Sequence, residues 1–235
     1  MITKYGSRIV WTGFCRASWP RVVLPAAGEI MPHAPDPNSV FEHAIRDHLR
    51  IVAALPAQRP ALEQIAAEMT RAVLAGGKIL WFGNGGSAAD SQHLAAELVG
   101  RFRRERRGMA SIALTTDTSI LTSVSNDYGY ESVFSRQIEA LCLEGDVAVG
   151  ISTSGNSKNV CLALEAAREL GAFTVAFTGQ NGGRAAGIAH VTLCIASNDT
   201  ARIQEGHILC GHMLCDWVEL SLCEHHPAER SAHSG

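Results

Sequence analysis

Residues 79–97 read ILWFGNGGSAADSQHLAAE. An apolar run ends in Gly83-Asn84-Gly85-Gly86-Ser87 and opens at once into a helical pattern. Free backbone N–H groups at a helix start favour an anion or an oxygen-rich ligand. Within the helical stretch His93 and Glu97 stand one turn apart on one face. Such a pair can chelate a metal or move protons.

Working outward, the alternation repeats. It predicts strand 78–82, helix 87–101, strand 109–114, helix 131–143, strand 146–151, helix 157–170, strands 173–178 and 190–195, and a long helix 201–225. The strands are short apolar runs, as in parallel strands covered on both faces. Strands alternating with helices argue an α/β fold, a doubly wound parallel sheet of about five strands. Two N-terminal helices precede it. One runs from about Ser39, capped by Asn38 or Ser39, to Leu55; the other covers about Ala61–Ala75 and ends at Gly76-Gly77. The expected domain covers 39–226, between a poorly ordered leader over 1–38 and a polar tail over 227–235.

The 235 residues are 46% hydrophobic and 18% charged, which suits a globular domain with a sizeable core. A net charge of −3 gives no case for nucleic acid or membrane as partner. Nor does any stretch reach the roughly 18–20 apolar residues that a membrane span needs. Arg101, Arg103, Arg104, Arg106 and Arg107 form a local exception, read as a solvated helix end and loop rather than a polyanion site. The apolar runs of the first 30 residues are too short for a signal-peptide core, and Met31 is an alternative start. Seven cysteines at irregular spacing, without a CxxC, are not a disulfide framework. A reducing cytoplasm is the expected compartment.

In an open α/β sheet, ligands lie beyond the carboxyl ends of the strands. The loops to weigh are therefore 83–87, 115–130, 151–157, 178–183 and 196–202. Ser152-Thr153-Ser154-Gly155-Asn156-Ser157 gathers hydroxyls around a glycine at a helix start, which suits a phosphate. Neither this loop nor 83–87 matches GxxxxGK[ST] or GxGxxG, which argues against a nucleotide. Each loop alone is equally a cap and tight turn; two in one sheet point to a small phosphorylated polyol. Asn126-Asp127 ends the polar 115–130 loop and suits either sugar hydroxyls or an ordinary turn.

The last helix carries RIQEGHILCGH over 202–212, with Gln204, His207 and His212 among apolar residues. A lone His in such a setting is more often a bonded core residue than a ligand. Together with His93 and Glu97, Gln204 and His212 make a set able to hold a metal tetrahedrally, although Gln is an uncommon zinc ligand. Gln204 and His212 are about 12 Å apart along a helix and about 80° around it. Both reach one ion only with extended side chains or from different subunits. His207 competes for the role.

GNGGS, SQHLAAELVGRF, SNDYGY, GDVAVGISTSGNS, TGQNGG and RIQEGHILCGH, in that order, resemble the phosphoheptose (sedoheptulose 7-phosphate) isomerases of the sugar isomerase (SIS) domain superfamily. The resemblance covers about residues 40–225. It implies a SIS-type fold, a three-layer αβα sandwich with a five-stranded parallel sheet, and a homotetramer with active sites at subunit contacts. It implies conversion of D-sedoheptulose 7-phosphate to D-glycero-D-manno-heptose 7-phosphate, for lipopolysaccharide core or related glycans. Implied substrate contacts are Asn84, Gly85, Gly86, Glu97, Asn126, Asp127, Ser152, Thr153, Ser154, Ser157 and Gln204, with Arg101 near the substrate. Implied zinc ligands, for one ion per subunit, are His93, Glu97, Gln204 and His212, with Glu97 as catalytic base and His212 as acid.

The chemistry agrees. A ketose–aldose exchange moves a proton between adjacent carbons through an enediol or enediolate, which needs a base, an acid and oxyanion stabilisation. A carboxylate fully bound to zinc is a poorer base; one oxygen left free eases that tension. A non-enzymatic alternative exists: SIS proteins that bind the bacterial replication initiator, which the C-terminal CDWVELSLCEHH resembles. Their pattern lacks the Glu and the last-helix His that this chain keeps at Glu97 and His212. A sugar-phosphate-sensing module or another SIS isomerase is a third reading.

Overall fold

A computed structural model describes residues 36–225. The tail expected over 227–235 and nearly all of the leader expected over 1–38 lie outside the described residues. One compact unit begins at Glu42.

Its centre is the predicted five-stranded, all-parallel sheet, in the order β2-β1-β3-β4-β5. The strands are β1 (Ile79–Gly83), β2 (Ser111–Ala113), β3 (Val147–Ile151), β4 (Phe173–Gly179) and β5 (Val191–Ile195). The helices are α1 (Pro37–Ala54), α2 (Arg59–Leu74), α3 (Gly86–Val99), α4 (Thr118–Tyr128), α5 (Ser135–Leu141), α6 (Lys158–Glu169), α7 (Gly183–Ile188) and α8 (Thr200–His225).

Strand side chains alternate between two apolar layers. Ile79 and Trp81 of β1 pack with Ile65 and Met69 of α2, Leu94 and Leu98 of α3, and Ile203 and Leu214 of α8. Leu80 and Phe82 point the other way, to Phe134, Ile138 of α5, and Val160 and Leu164 of α6. The buried indole N–H of Trp81 donates to Ser111 Oγ at 2.9 Å, so the core leaves it satisfied.

β1 and β3 are neighbours, with Gly83 paired to Ile151, and the chain leaves them toward opposite edges of the sheet. This is the switch point at which open α/β sheets form their ligand crevice. The loops after β1 and β3 open into it side by side.

Four expectations are corrected. The polar 115–130 segment contains a helix, α4, whose N-cap Asp117 accepts from the Ile120 N–H at 2.9 Å. The expected helix 131–143 is a short 3-10 turn, Tyr130–Ser132, followed by α5; Gly129, at φ 88°, ends α4 and opens that turn. The short α7 fills the stretch between the loop 178–183 and β5, for which no element was expected. Asp36, not Asn38 or Ser39, caps α1: its Oδ1 accepts from Asn38 N–H at 3.1 Å, and Pro37 supplies the preset φ of a first helical residue. No helix of the described residues is long and apolar enough to cross a membrane.

Candidate active site

The glycine loop is shaped by what packs behind it. Gly85 has φ 56° and Gly86 begins α3. A Cβ on Gly86 would strike the carboxamide of Gln204, so the bare Cα is what lets α8 bring that amide onto the start of α3. Asn84 is held from the other side. Its Nδ2 donates to Asn159 Oδ1 at 2.9 Å, and Asn159 Nδ2 donates back to Asn84 Oδ1 at 2.8 Å. The Tyr130 hydroxyl donates to the same Asn84 Oδ1 at 3.1 Å. Val160 N–H donates to Asn159 Oδ1 at 3.0 Å, which fixes the oxygen end of that buried amide and hence of its partner.

The hydroxyl loop is built as tightly. Ser152 Oγ and Ser157 Oγ lie 2.9 Å apart, and Ser157 is the N-cap of α6. Gly155 sits at φ 66° against the carbonyl of Gly182, where any side chain would collide. Gly179 N–H donates to Thr153 O at 3.0 Å, Arg184 N–H to Asn156 Oδ1 at 3.0 Å and Ala185 N–H to Gly155 O at 2.9 Å. The TGQNGG stretch therefore buttresses this loop from behind. Asn126 and Asp127 lie in the last turn of α4, exposed, with Asn126 Nδ2 donating to Asp127 Oδ1 at 2.8 Å.

α3 and α8 run side by side in the same direction. Gly86 meets Gln204 and Leu94 meets Gly211. His93 Nε2 and His212 Nε2 approach to 2.9 Å, and Glu97 Oε1 lies 3.4 Å from His93 Nε2. One ligand atom from each of His93, Glu97 and His212 lies within 4.8 Å of the others. Two imidazole nitrogens facing a carboxylate oxygen match the donor preference of zinc. Desolvation, then the neighbouring His93, hold His212 below the usual histidine range. Asp90, one turn before His93, is pushed up by burial.

His207 is excluded from this cluster. Fully buried, it donates from Nε2 to Thr178 O at 2.9 Å, and burial pushes its pKa down to about 4. Gln204 rests at the glycine loop rather than among the three donors. Along α3, Glu97 lies about 16 Å from Gly86. One chain thus gathers the two loops at one end of the helix pair and the His–Glu cluster further along it.

The arginine cluster is only in part the solvated surface expected: Arg101, Arg103 and Arg107 are exposed, whereas Arg104 and Arg106 are drawn in. Arg106 is 7% exposed; it donates to the carbonyls of Glu97, Leu98 and Gly100 and pairs with buried Glu219 at 3.2 Å. Arg103 and Arg104 pair with Asp216. Arg101 lies at the surface, 2.9 Å from Glu105. Sequence reading missed Asn159, Tyr130 and Glu219; the polar residues inside otherwise apolar helix turns were the available signal for the first and last.

A family model of the SIS domain matches residues 41–179, and the chain belongs to that family. A phosphoheptose isomerase of Aquifex aeolicus is 61% identical over 160 residues, 68% of this chain and 84% of that protein. The solved phosphoheptose isomerase of Neisseria gonorrhoeae superposes with a TM-score of 0.70 at 45% identity, covering 78% of this chain and 96% of that one. That of Francisella tularensis gives 0.72 at 38% identity, with the same coverage of 78% and 96%. Within the SIS domain family, this chain belongs to the phosphoheptose isomerases.

Proposed function

We propose that the chain converts D-sedoheptulose 7-phosphate to D-glycero-D-manno-heptose 7-phosphate, the opening step toward heptose-containing bacterial glycans such as lipopolysaccharide core. The observation that carries this reading is the cluster of Glu97, His93 and His212, a base, an acid and metal donors within 4.8 Å, in a domain whose switch-point crevice holds a serine-rich loop.

Ser152, Thr153, Ser154 and Ser157 receive the phosphate at the start of α6. Asn84, Gly85, Gly86, Asn126, Asp127 and Gln204 hold the sugar oxygens. Glu97 takes the proton from C1 of the ketose and returns it to C2. His212 serves the two oxygens as the double bond moves through the enediolate. Glu97 Oε1 faces His93, which leaves Oε2 for the substrate proton. His93, Glu97 and His212 would hold one zinc ion, which would supply Lewis-acid polarisation of the sugar oxygens; Gln204, held at the glycine loop of its own chain, would serve as the fourth donor from a neighbouring subunit.

The reading includes a cytoplasmic homotetramer with active sites at subunit contacts. The separation of loops and cluster along α3 supports it. So do the exposed Met213, Trp217 and Leu220 on α8, an apolar stripe that starts beside His212. The initiator-binding alternative is disfavoured by Glu97, His212 and the isomerase relatives. The test is turnover of sedoheptulose 7-phosphate, with the product coupled to the next heptose enzymes. Turnover that disappears in Glu97→Gln and His212→Gln supports the reading; an inactive parent, or full activity in both variants, overturns it.

A further inference from the structure

We propose that buried Glu219 and the ring of Phe102 orient His212, as positioning residues remote from the substrate; the proposal rests on His212 being part of the site. Glu219 follows His212 by two turns of α8 and is 0% exposed. An ionised carboxylate so far from water is costly unless its lone pairs are engaged. Here they are. Oε1 accepts from Phe102 N–H at 3.0 Å, and Oε2 from Arg103 N–H at 2.8 Å and Arg104 N–H at 2.9 Å. The guanidinium groups of Arg104 and Arg106 close in at 3.4 and 3.2 Å.

Three consecutive backbone N–H groups on one carboxylate fasten the segment after α3 onto α8. The fastening has a direction. It lays the Phe102 ring along the imidazole of His212, centroids 5.5 Å apart and planes 26° from parallel. His93 meets the same imidazole edge-on, at 5.1 Å and 69°. The His212 ring is thus set by an aromatic face and an imidazole edge, and the face is delivered by Glu219. Two members of the arginine run, Arg104 and Arg106, are the counter-charge of this latch.

Phe102→Leu keeps the apolar filling and removes the ring; Phe102→Tyr keeps both. In Phe102→Leu, kcat for sedoheptulose 7-phosphate should fall about tenfold with KM within about twofold, as for a misaligned catalytic group. Phe102→Tyr should restore kcat. The visible absorption of the cobalt(II)-loaded protein, which reports ligand geometry, should shift in Phe102→Leu and return in Phe102→Tyr. Parental kcat and spectrum in Phe102→Leu overturn the proposal, as does a loss that Phe102→Tyr shares. Glu219→Gln should reproduce the Phe102→Leu pattern wherever its circular dichroism is parental. An inactive parent overturns the isomerase reading instead, and the cobalt spectra then still decide between positioning and none.

Discussion

Asn84 and Asn159 face each other as a reciprocal amide pair, each donating to the other, at 2.9 and 2.8 Å. With Tyr130 on the second lone pair of Asn84 Oδ1, that oxygen has no capacity left. Asn84 meets a ligand only as an N–H donor. Asn159 stands in the first turn of α6, so the pair also ties the glycine loop to the serine loop. Tyr130→Phe should raise KM for sedoheptulose 7-phosphate about fivefold, the worth of about 1 kcal/mol for one hydrogen bond. Asn159→Ala should raise it further, and kcat should move less in both. Steady-state kinetics decide; a parental KM in Asn159→Ala would show that the pair does not set the loop.

Glu97→Gln removes the base and His212→Gln the acid. Each should lower kcat by about 10²–10⁴, the range for a positioned proton-transfer group. Size-exclusion profile and circular dichroism should be parental, because Glu97 and His212 are both part-exposed.

Metal removal tests the donor set apart from the fold. Elemental analysis should find about one zinc per chain, lost on dialysis against a chelator together with activity and recovered on adding zinc. His93→Ala should lose the metal while unfolding at a near-parental temperature, since His93 is exposed. Metal-free protein with full activity would remove zinc from the mechanism.

Stability should depend on pH through His207. Its folded pKa of about 4 lies below the ordinary 6.5, so the unfolded chain takes up a proton that the folded one refuses. The stabilisation is complete above the ordinary value and is lost as pH falls toward the folded one. Between about pH 7.5 and 5 the loss amounts to about 2 kcal/mol. Urea denaturation at the two pH values measures it. His212, also lowered, adds in the same direction. His207→Gln should flatten most of the dependence; an equal slope in that variant would place the titration elsewhere.

The sheet was legible because its central strands are buried on both faces, so each is written as an apolar run. β3 is buried at every position. α4 was not, because it buries none of its residues. Its hydroxyl-rich sequence stands on the Asp117 cap, on Thr122 Oγ1 donating to Thr118 O, and on half-buried Leu121 and Val124. In the site, His93 and Glu97 were readable from helical spacing, whereas the choice between His207 and His212 was not. That choice is made by Thr178, a partner 29 residues away on β4. Asn159 and Glu219 were invisible for the same reason: their partners lie 75 and more than 110 residues distant, and only the folded sheet brings them near.

The parallel pairing of α3 with α8 also fixes when the site can exist. His93 and His212 are 119 residues apart, and α8 is synthesised after every other element of the described residues. Until it docks, Leu94 and Leu98 lack their cover from Ile203 and Leu214, and His93 faces open space. A nascent chain can form its loops early but can assemble neither the histidine pair nor the Glu219 latch. A chain that stops short of α8 is thus left with an uncovered apolar seam along α3 and without reactive machinery.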